Sequence, residues 1–154
     1  MTKLSEYNKK RNFNKTKEPI GKNSKRVNKL RFCVQHHIAR KDHYDLRLEW
    51  NGVLISWAVP KGPSYNPKDK RLAIMVEDHP IDYHNFEGTI PKGEYGGGTV
   101  MLWDKGYWEP IKGNKPDFKE GPVKFILKGK RLKGKWTLVK LKSDNNWLLI
   151  KDED

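Results

Sequence analysis

The sequence has a single cysteine, no long apolar run and few acidic residues for its length. Its 154 residues include 19 Asp or Glu against 32 Lys or Arg, a formal net charge of +13. The lone Cys33 excludes an internal disulfide, so we predict a reducing, cytoplasmic location. The most apolar stretch, 53–60, is far shorter than the roughly 20 residues of a membrane-spanning helix, and we expect no membrane partner. The excess of positive charge indicates a polyanionic partner, most simply nucleic acid.

The positive charge is concentrated near the N-terminus. Residues 1–29 carry ten Lys or Arg and two Glu, a net +8, whereas residues 30–154 carry 22 Lys or Arg and 17 Asp or Glu, a net +5. Residues 1–29 show no sustained helical or strand period, so we predict an extended N-terminal arm with an irregular or locally ordered path. Two interpretations stay open, a solvated tail and an arm that follows nucleic-acid phosphates.

From residue 30 onward, short runs rich in β-branched and aromatic residues alternate with Gly, Pro and Asn. This pattern predicts strands, and Asn51-Gly52 predicts a two-residue hairpin turn between two of them. No segment has the apolar period of a long amphipathic helix. We therefore predict that residues 30–154 form one all-β, mostly antiparallel domain, a small closed β-barrel of about eight strands. The predicted strands are 31–35, 44–50, 53–59, 71–77, 99–104, 123–127, 135–142 and 147–151.

One predicted strand carries a row of ionisable side chains. Side chains alternate between the two faces of a strand, so one face of this segment is polar and the other apolar. The polar face holds, in order, His43, Asp45, Arg47 and Glu49. A solvated face is the plain interpretation, although such faces usually carry Lys, Thr or Glu. The alternative is that His43 and Asp45 share a metal ion while Arg47 holds an anion attached to it.

His37 lies six residues before His43, and a loop between them can bring the two rings together. Two His and one carboxylate with open coordination positions suit Mn²⁺, Zn²⁺ or Fe²⁺. The competing interpretation is that these are ordinary loop and surface histidines. Three of the five His of the chain fall within residues 36–43, and this clustering favours a site.

A second cluster follows the predicted strand 71–77. His79 can protonate a leaving group or stabilise charge on a phosphoryl oxygen, and Tyr83 can donate a hydrogen bond to the same group. Lys61 and Arg71 would add phosphate contacts. The structural alternatives are a self-satisfied turn around His79 and plain surface positions for Lys61 and Arg71.

Several short motifs follow one another in a fixed order along the chain. They are Val34-Gln35-x-His37-x-Ala39, His43-Tyr44-Asp45-Leu46-Arg47-Leu48-Glu49, Ser56-Trp57-Ala58-Val59-Pro60-Lys61-Gly62-Pro63-Ser64, Arg71-Leu72-Ala73, Val76-Glu77-Asp78-His79-Pro80-x-Asp82-Tyr83 and Phe86-Glu87-Gly88-x-Ile90-Pro91. This series strongly resembles the 3′-phosphoesterase module of bacterial DNA ligase D and its stand-alone archaeal relatives. The resemblance covers essentially the whole chain, and the order of the motifs makes it specific.

The resemblance implies a small β-barrel enzyme that heals 3′ ends in DNA repair by non-homologous end joining. The family removes a 3′-terminal ribonucleotide from a primer strand, leaves a 3′-phosphate, and can then remove that phosphate to leave a 3′-OH. Mn²⁺ is the usual metal, with Co²⁺ or Zn²⁺ as alternatives. The implied substrates are primer–template 3′ ends. We expect a monomer that works with a separate DNA ligase, because this length leaves no room for ligase and polymerase domains.

Matching positions carry the family's functional residues onto this sequence. The implied metal ligands are His37, His43 and Asp45, and the implied contacts to the scissile phosphate are Arg47, His79 and Tyr83. Positions of lesser or more selective importance are Lys61, Arg71 and Glu77, with Arg11 and Glu18 tied mainly to the phosphomonoesterase step. The chain departs from the family at Asn12, where the arm typically has Asp. Because Asn carries no charge and cannot act as a base, we predict a weaker phosphomonoesterase step.

Two rival functions stay open. A non-catalytic nucleic-acid-binding barrel would show the same charge and aromatic content without needing the His-His-Asp-Arg row. A broad phosphatase or 2′,3′-cyclic-phosphate esterase acting on RNA ends would share the row and differ in substrate. DNA primers with one or no terminal ribonucleotide would discriminate between the two enzymes.

Overall fold

The computed structural model describes residues 4–21 and 29–154. These residues form a short helix α1 (Ser5–Lys9), a 3₁₀ helix (Ile81–Asn85) and a set of antiparallel strands. The strands are β1 (Leu30–Ile38), β2 (His43–Trp50), β3 (Val53–Val59), β4 (Arg71–His79), β5 (Gly88–Ile90), β6 (Gly98–Pro110), β7 (Val123–Gly129), β8 (Lys133–Lys140) and β9 (Asn146–Lys151). The predicted all-β, antiparallel fold is confirmed.

Eight of the strands close into a barrel. The strand order is β1-β2-β3-β4-β9-β8-β7-β6, and pairing between β6 and β1 joins the two ends. The ninth strand, β5, lies outside the barrel and pairs with the first residues of β6, whose last residues pair with β7. The predicted closed barrel of about eight strands is therefore confirmed, and β5 is the strand that the sequence did not predict.

The β1–β2 hairpin differs from its prediction in a way that matters for the site. The sequence predicted a strand that ends at residue 35 and a loop that carries His37 toward His43. Instead β1 continues to Ile38, and His37 and His43 are direct register partners across the antiparallel pair. The next hairpin follows its prediction, because Asn51 and Gly52 both have positive φ, as a type I′ turn requires.

The barrel interior is filled by large apolar side chains. Trp57, Trp136 and Trp147 are fully buried, and their indole rings occupy the space that an eight-stranded barrel leaves between its walls. The apolar face of β2, with Leu46 and Leu48, points into this core. The opposite face of β2 therefore points out of the barrel.

Residues 4–21 cover part of the outer wall. Tyr7 on α1 is fully buried and packs with Leu54, Ile81 and Tyr83 in a second apolar cluster. The Tyr7 hydroxyl donates a 2.5 Å hydrogen bond to the carbonyl of Pro19, which folds the segment back on itself. Residues 4–21 are thus not a solvated tail. Residues 1–3 and 22–28, which belong to the predicted basic arm, lie outside the described residues.

No helix within residues 4–21 and 29–154 has both the length and the apolar character needed to cross a membrane.

Candidate functional site

A cavity of about 320 Å³ opens on the outer wall of the barrel, between strands β1 to β4, the segment 4–21 and the 3₁₀ helix. All but two of the predicted site residues line it: Arg11, Glu18, His37, His43, Asp45, Arg47, Glu77, His79 and Tyr83. Lys61 and Arg71 instead line a separate cleft, where an Arg71 guanidinium nitrogen lies 3.8 Å from a carboxylate oxygen of Asp69. The structure therefore brings together the metal-ligand and phosphate candidates and leaves Lys61 and Arg71 apart from them.

The polar row of β2 is buried beneath this cover. Asp45 is 6% exposed, Arg47 is 3% exposed and Glu49 is 4% exposed. The interpretation of this row as a solvated strand face is wrong, because segment 4–21 and the 3₁₀ helix lie over it. Buried charges are retained only where partners or ligands compensate them, so each member of the row has to be accounted for.

His37, His43 and Asp45 form a compact group of metal-ligating side chains. One potential ligand atom from each lies within 4.8 Å of the others. The Nε2 of His43 is 3.2 Å from Oδ1 of Asp45, and the Nδ1 of His37 is 3.7 Å from Oδ2. The strand register explains this convergence, since His37 and His43 are paired and Asp45 follows on the same face.

Backbone carbonyls orient the two imidazole rings. The Nε2 of His37 lies 2.7 Å from the carbonyl oxygen of Gly96, and the Nδ1 of His43 lies 3.1 Å from that of Lys41. A carbonyl oxygen only accepts, so these nitrogens carry the protons and donate. The opposite nitrogens are left to face Asp45, which is how hydrogen bonds to backbone carbonyls orient histidine ligands of metals.

The ionisation of the group suits a divalent cation. Burial opposes ionisation of Asp45, but Arg47, His37 and His43 hold the pKa of this carboxyl well below its ordinary value. The hydrogen bond to Asp45 raises the pKa of His43 above its ordinary value, because the carboxylate stabilises positive charge on the ring. Two imidazole nitrogens and one carboxylate are a common donor set for Mn²⁺, Fe²⁺ or Zn²⁺. The residues present therefore fit a metal ion.

Arg47 lines the cavity, and one of its hydrogen-bond donors is unused within the part of the chain that the structure describes. Its Nε donates to Oε1 of Gln35 at 2.7 Å, and one terminal nitrogen lies 3.4 Å from Oδ2 of Asp45. The other terminal nitrogen is buried and finds no hydrogen-bond partner among the described residues. A buried N–H without a hydrogen-bond partner lowers the stability of the fold. This N–H is therefore a candidate to donate a hydrogen bond to an anionic oxygen of a ligand.

Gln35 is a site residue that the sequence prediction missed. It is fully buried, accepts from Arg47, and donates through Nε2 to the carbonyls of Tyr83 and Phe86 at 2.8 and 3.0 Å. Gln35 thereby fixes the Arg47 guanidinium relative to the 3₁₀ helix. The available signal was its position two residues before His37, which places both on one face of β1.

The carboxylate of Glu18 accepts three hydrogen bonds from side chains of segment 4–21 and the 3₁₀ helix. Its Oε2 accepts from Nε of Arg11 at 2.9 Å and from the hydroxyl of Tyr83 at 2.6 Å, while Oε1 accepts from Thr16 at 3.0 Å. Burial raises the pKa of Tyr83 well above its ordinary value, so the hydroxyl keeps its proton. The Tyr83 proton is thus directed to Glu18 rather than standing free for a phosphate.

His79 lines the cavity with Nδ1 as a hydrogen-bond donor and Nε2 as an acceptor. Its Nδ1 donates to the carbonyl of Glu77 at 3.0 Å, which leaves Nε2 to accept from a terminal nitrogen of Arg11 at 3.3 Å. Burial, followed by the charges of Arg47 and Arg11, lowers the pKa of His79 well below its ordinary value. In this arrangement Nε2 of His79 is a hydrogen-bond acceptor for Arg11.

Glu77 lines the cavity, whereas Asn12, where the sequence departs from the family, lies outside it. The carboxylate of Glu77 is 3.5 Å from a terminal nitrogen of Arg11 and 3.5 Å from Nζ of Lys10, so it balances the charge of the arm. Asn12 is exposed, does not line the cavity, and accepts a 3.1 Å hydrogen bond from the backbone N–H of Asn14.

The fold and the site together define a closed antiparallel β-barrel that carries a candidate divalent-metal centre beside a buried arginine. Residues 35–140 match the family model described as the DNA Ligase D 3′-phosphoesterase domain. The chain belongs to this family.

Several full-length relatives align with nearly the whole chain. The multifunctional non-homologous end joining protein LigD of Pseudomonas aeruginosa is 46% identical, with 98% of this chain and 19% of the relative covered. The protein of the same name from Mycolicibacterium smegmatis is 42% identical, with 99% and 21% covered. The multifunctional non-homologous end joining DNA repair protein LigD of Mycobacterium tuberculosis is 44% identical, with 95% and 19% covered. The chain thus spans about a fifth of the length of these relatives.

Proposed function

We propose that this protein is a divalent-metal-dependent 3′-phosphoesterase that heals DNA ends for non-homologous end joining. It removes a 3′-terminal ribonucleotide from a primer strand and then the 3′-phosphate that remains. The observation that carries the proposal is the convergence, in one cavity, of the His37–His43–Asp45 group with the unpartnered N–H of Arg47. Family membership supports the reaction class, because this arrangement occurs in a chain that matches the phosphoesterase domain of DNA ligase D.

The two steps cleave different bonds at the same phosphorus atom. In the first step, water attacks phosphorus and the O5′ of the terminal nucleoside leaves with a proton, so the primer keeps a 3′-phosphate. In the second step, water attacks again and the O3′ of the primer leaves with a proton, which releases inorganic phosphate. Each step hydrolyses one P–O bond and needs no other reactant.

His37 Nδ1, His43 Nε2 and a carboxylate oxygen of Asp45 would hold the metal, with Mn²⁺ as the proposed ion and Co²⁺ or Zn²⁺ as alternatives. When bound, such an ion supplies Lewis-acid charge next to the phosphoryl group. The preformed tautomers of the two histidines and the ionised state of Asp45 support this assignment.

Arg47 and His79 are the proposed catalytic residues that face the phosphate. The free N–H of Arg47 would donate to a phosphoryl oxygen, where preorganised positive charge stabilises the transition state. Nε2 of His79, whose lone pair accepts a 3.3 Å hydrogen bond from Arg11, would accept a proton from the attacking water in place of that contact, or deliver one to the leaving oxygen after that transfer. Tyr83, with its ring 4.8 Å from the Arg47 guanidinium, would help to orient that group.

The segment 4–21 contributes Arg11 and Glu18 to the proposed phosphate-binding wall. Arg11 is bound by Glu18 and Glu77, so its charge is held over the cavity rather than extended into solvent. Lys61 and Arg71 would bind phosphates farther along the primer, since they lie in a separate cleft. The proposed substrates are primer–template 3′ ends, and a separate ligase, a monomeric state and a cytoplasmic location stay predictions.

The experiment that tests this function is digestion of a 5′-labelled primer–template whose primer ends in one ribonucleotide. With Mn²⁺ we expect a primer one nucleotide shorter that carries a 3′-phosphate, followed by a primer with a 3′-OH that a polymerase can extend. An all-DNA primer serves as the matched control. Binding without cleavage would favour the non-catalytic barrel, and selective processing of RNA 2′,3′-cyclic phosphates would favour the RNA-end esterase.

A further inference from the structure

Tyr95 is an exposed aromatic side chain at the rim of the cavity. It lines the same cavity as His37 and Arg47, yet it is 46% exposed, whereas the other lining tyrosine, Tyr83, is 2% exposed. Burial in an apolar core therefore does not explain Tyr95. An exposed ring beside a phosphate-binding cavity is the usual form of a stacking surface for a nucleobase.

The loop that carries Tyr95 is fixed to the candidate metal centre. Two successive turns shape it, with hydrogen bonds from Glu94 N to the Pro91 carbonyl at 3.1 Å and from Gly97 N to the Glu94 carbonyl at 3.0 Å. The next residue after Tyr95, Gly96, accepts the hydrogen bond from His37 Nε2. Tyr95 is thus adjacent in sequence to Gly96, whose carbonyl orients the proposed metal ligand His37.

Polar contacts hold the ring at this rim. The hydroxyl of Tyr95 is 3.4 Å from Nζ of Lys10 and 3.5 Å from Oε1 of Glu77. The Nζ of Lys10 also lies 4.7 Å from the ring centroid, and the Arg11 guanidinium lies 5.3 Å from it. The ring is thus fixed and has two cations next to it. This combination suits a nucleotide, whose base offers a π face to the ring and whose phosphate offers negative charge to the cations.

We propose, resting on the function proposed above, that Tyr95 stacks on the base of the 3′-terminal nucleoside that leaves in the first step. Every base has a π face, so this contact binds the leaving nucleoside without selecting its sequence. The second step has no leaving nucleoside, because the primer then ends in a phosphate. Tyr95 is therefore a binding residue for ribonucleotide removal and not for 3′-phosphate release.

The test compares both steps in Tyr95→Ala, Tyr95→Phe and wild type. For Tyr95→Ala we expect the KM for ribonucleotide removal to rise about 5-fold to 100-fold, the size of one base–aromatic stack, while 3′-phosphate release stays within about twofold. Tyr95→Phe keeps the ring and its contacts with Lys10 and Arg11 and loses only the two long hydroxyl contacts, so we expect its KM to stay close to that of wild type. Tyr107→Ala is the matched control, because Tyr107 is 45% exposed and lies 5.2 Å from Nζ of Lys29, away from this cavity.

A primer ending in an abasic ribose isolates the stacking contribution. On that substrate we expect Tyr95→Ala and wild type to have the same KM. An equal loss in both steps would overturn the proposal, since it would show that the loop has merely displaced His37. An unchanged KM on the ribonucleotide primer would overturn it as well. Absence of both activities in the wild type would instead refute the function on which the proposal rests.

Discussion

Replacing Arg47 with lysine separates the charge of this residue from its hydrogen-bond geometry. Lysine keeps a cation next to Asp45, so the cost of about 3–5 kcal/mol expected for an unpaired buried charge is avoided. It cannot reproduce the planar fork, whose Nε and one terminal nitrogen contact Gln35 and Asp45 while the other terminal nitrogen has no partner among the described residues. Arg47→Lys therefore tests the hydrogen-bond geometry of the guanidinium at constant charge.

The expected magnitudes follow from the contacts that are lost. Oε1 of Gln35 is fully buried and accepts from Nε of Arg47 at 2.7 Å, so losing this donor lowers the free energy of unfolding by about 1–3 kcal/mol. The terminal N–H proposed to contact the phosphoryl oxygen also disappears. Removal of one such donor typically lowers kcat by about 10²–10³.

The assay is urea unfolding together with single-turnover cleavage of the ribonucleotide-tipped primer at saturating Mn²⁺. Arg31→Lys is the control, since Nε of Arg31 lies 2.8 Å from Oε1 of Glu49 at the other end of the same polar row, outside the cavity. We expect Arg31→Lys to lower stability and to leave turnover unchanged. A folded Arg47→Lys protein that cleaves as fast as wild type would refute the role given to the free N–H.

Three further predictions concern the arm and the buried histidine. Asn12→Asp should raise 3′-phosphate release more than ribonucleotide removal, and equal effects on both rates, or none, would contradict the sequence prediction. Glu18→Gln should lower the free energy of unfolding in urea by about 1–3 kcal/mol, because Arg11 and Tyr83 lose a charged acceptor, whereas Glu109→Gln at an exposed ion pair should cost less than about 1 kcal/mol. Burial and the charges of Arg47 and Arg11 lower the pKa of His79 below 6.5, so the unfolded chain binds a proton that the folded chain does not, and stability falls as the pH drops below about 6.5. His79→Gln should make this decline shallower, and parallel stability–pH curves would contradict the assignment.

The barrel was predictable because its strands follow simple local rules. The Asn51-Gly52 turn required positive φ at both positions, and the alternation of β2 separated core side chains from polar ones. The short strand β5 was missed because three residues carry no periodic signal. The end of β1 was also missed, since Gln35, His36 and His37 are polar and their pairing depends on the partner strands.

The residues of the site could be predicted from the sequence, but their burial and the cleft that each side chain enters could not. Strand alternation grouped His43 with Asp45 and Arg47, the clustering of histidines added His37, and the cluster after the predicted strand 71–77 added His79. The resemblance to the family then implied their roles. This row is buried under segment 4–21 and the 3₁₀ helix. The packing of that segment through Tyr7 has no periodic pattern in the sequence. The separate positions of Lys61 and Arg71 likewise depend on tertiary geometry, because matching a motif does not say which cleft a side chain enters.

The central claim is that His37, His43 and Asp45 hold the metal ion that cleavage requires. The most direct test is a titration of Mn²⁺ into metal-free protein, with bound ions counted by electron paramagnetic resonance and primer cleavage measured on the same samples. We predict a cleavage rate that follows occupancy of a single site, and loss of both signals in His43→Ala and in the nearly isosteric Asp45→Asn. Cleavage that survives complete chelation, or an Asp45→Asn protein that binds Mn²⁺ and cleaves like wild type, would contradict the claim.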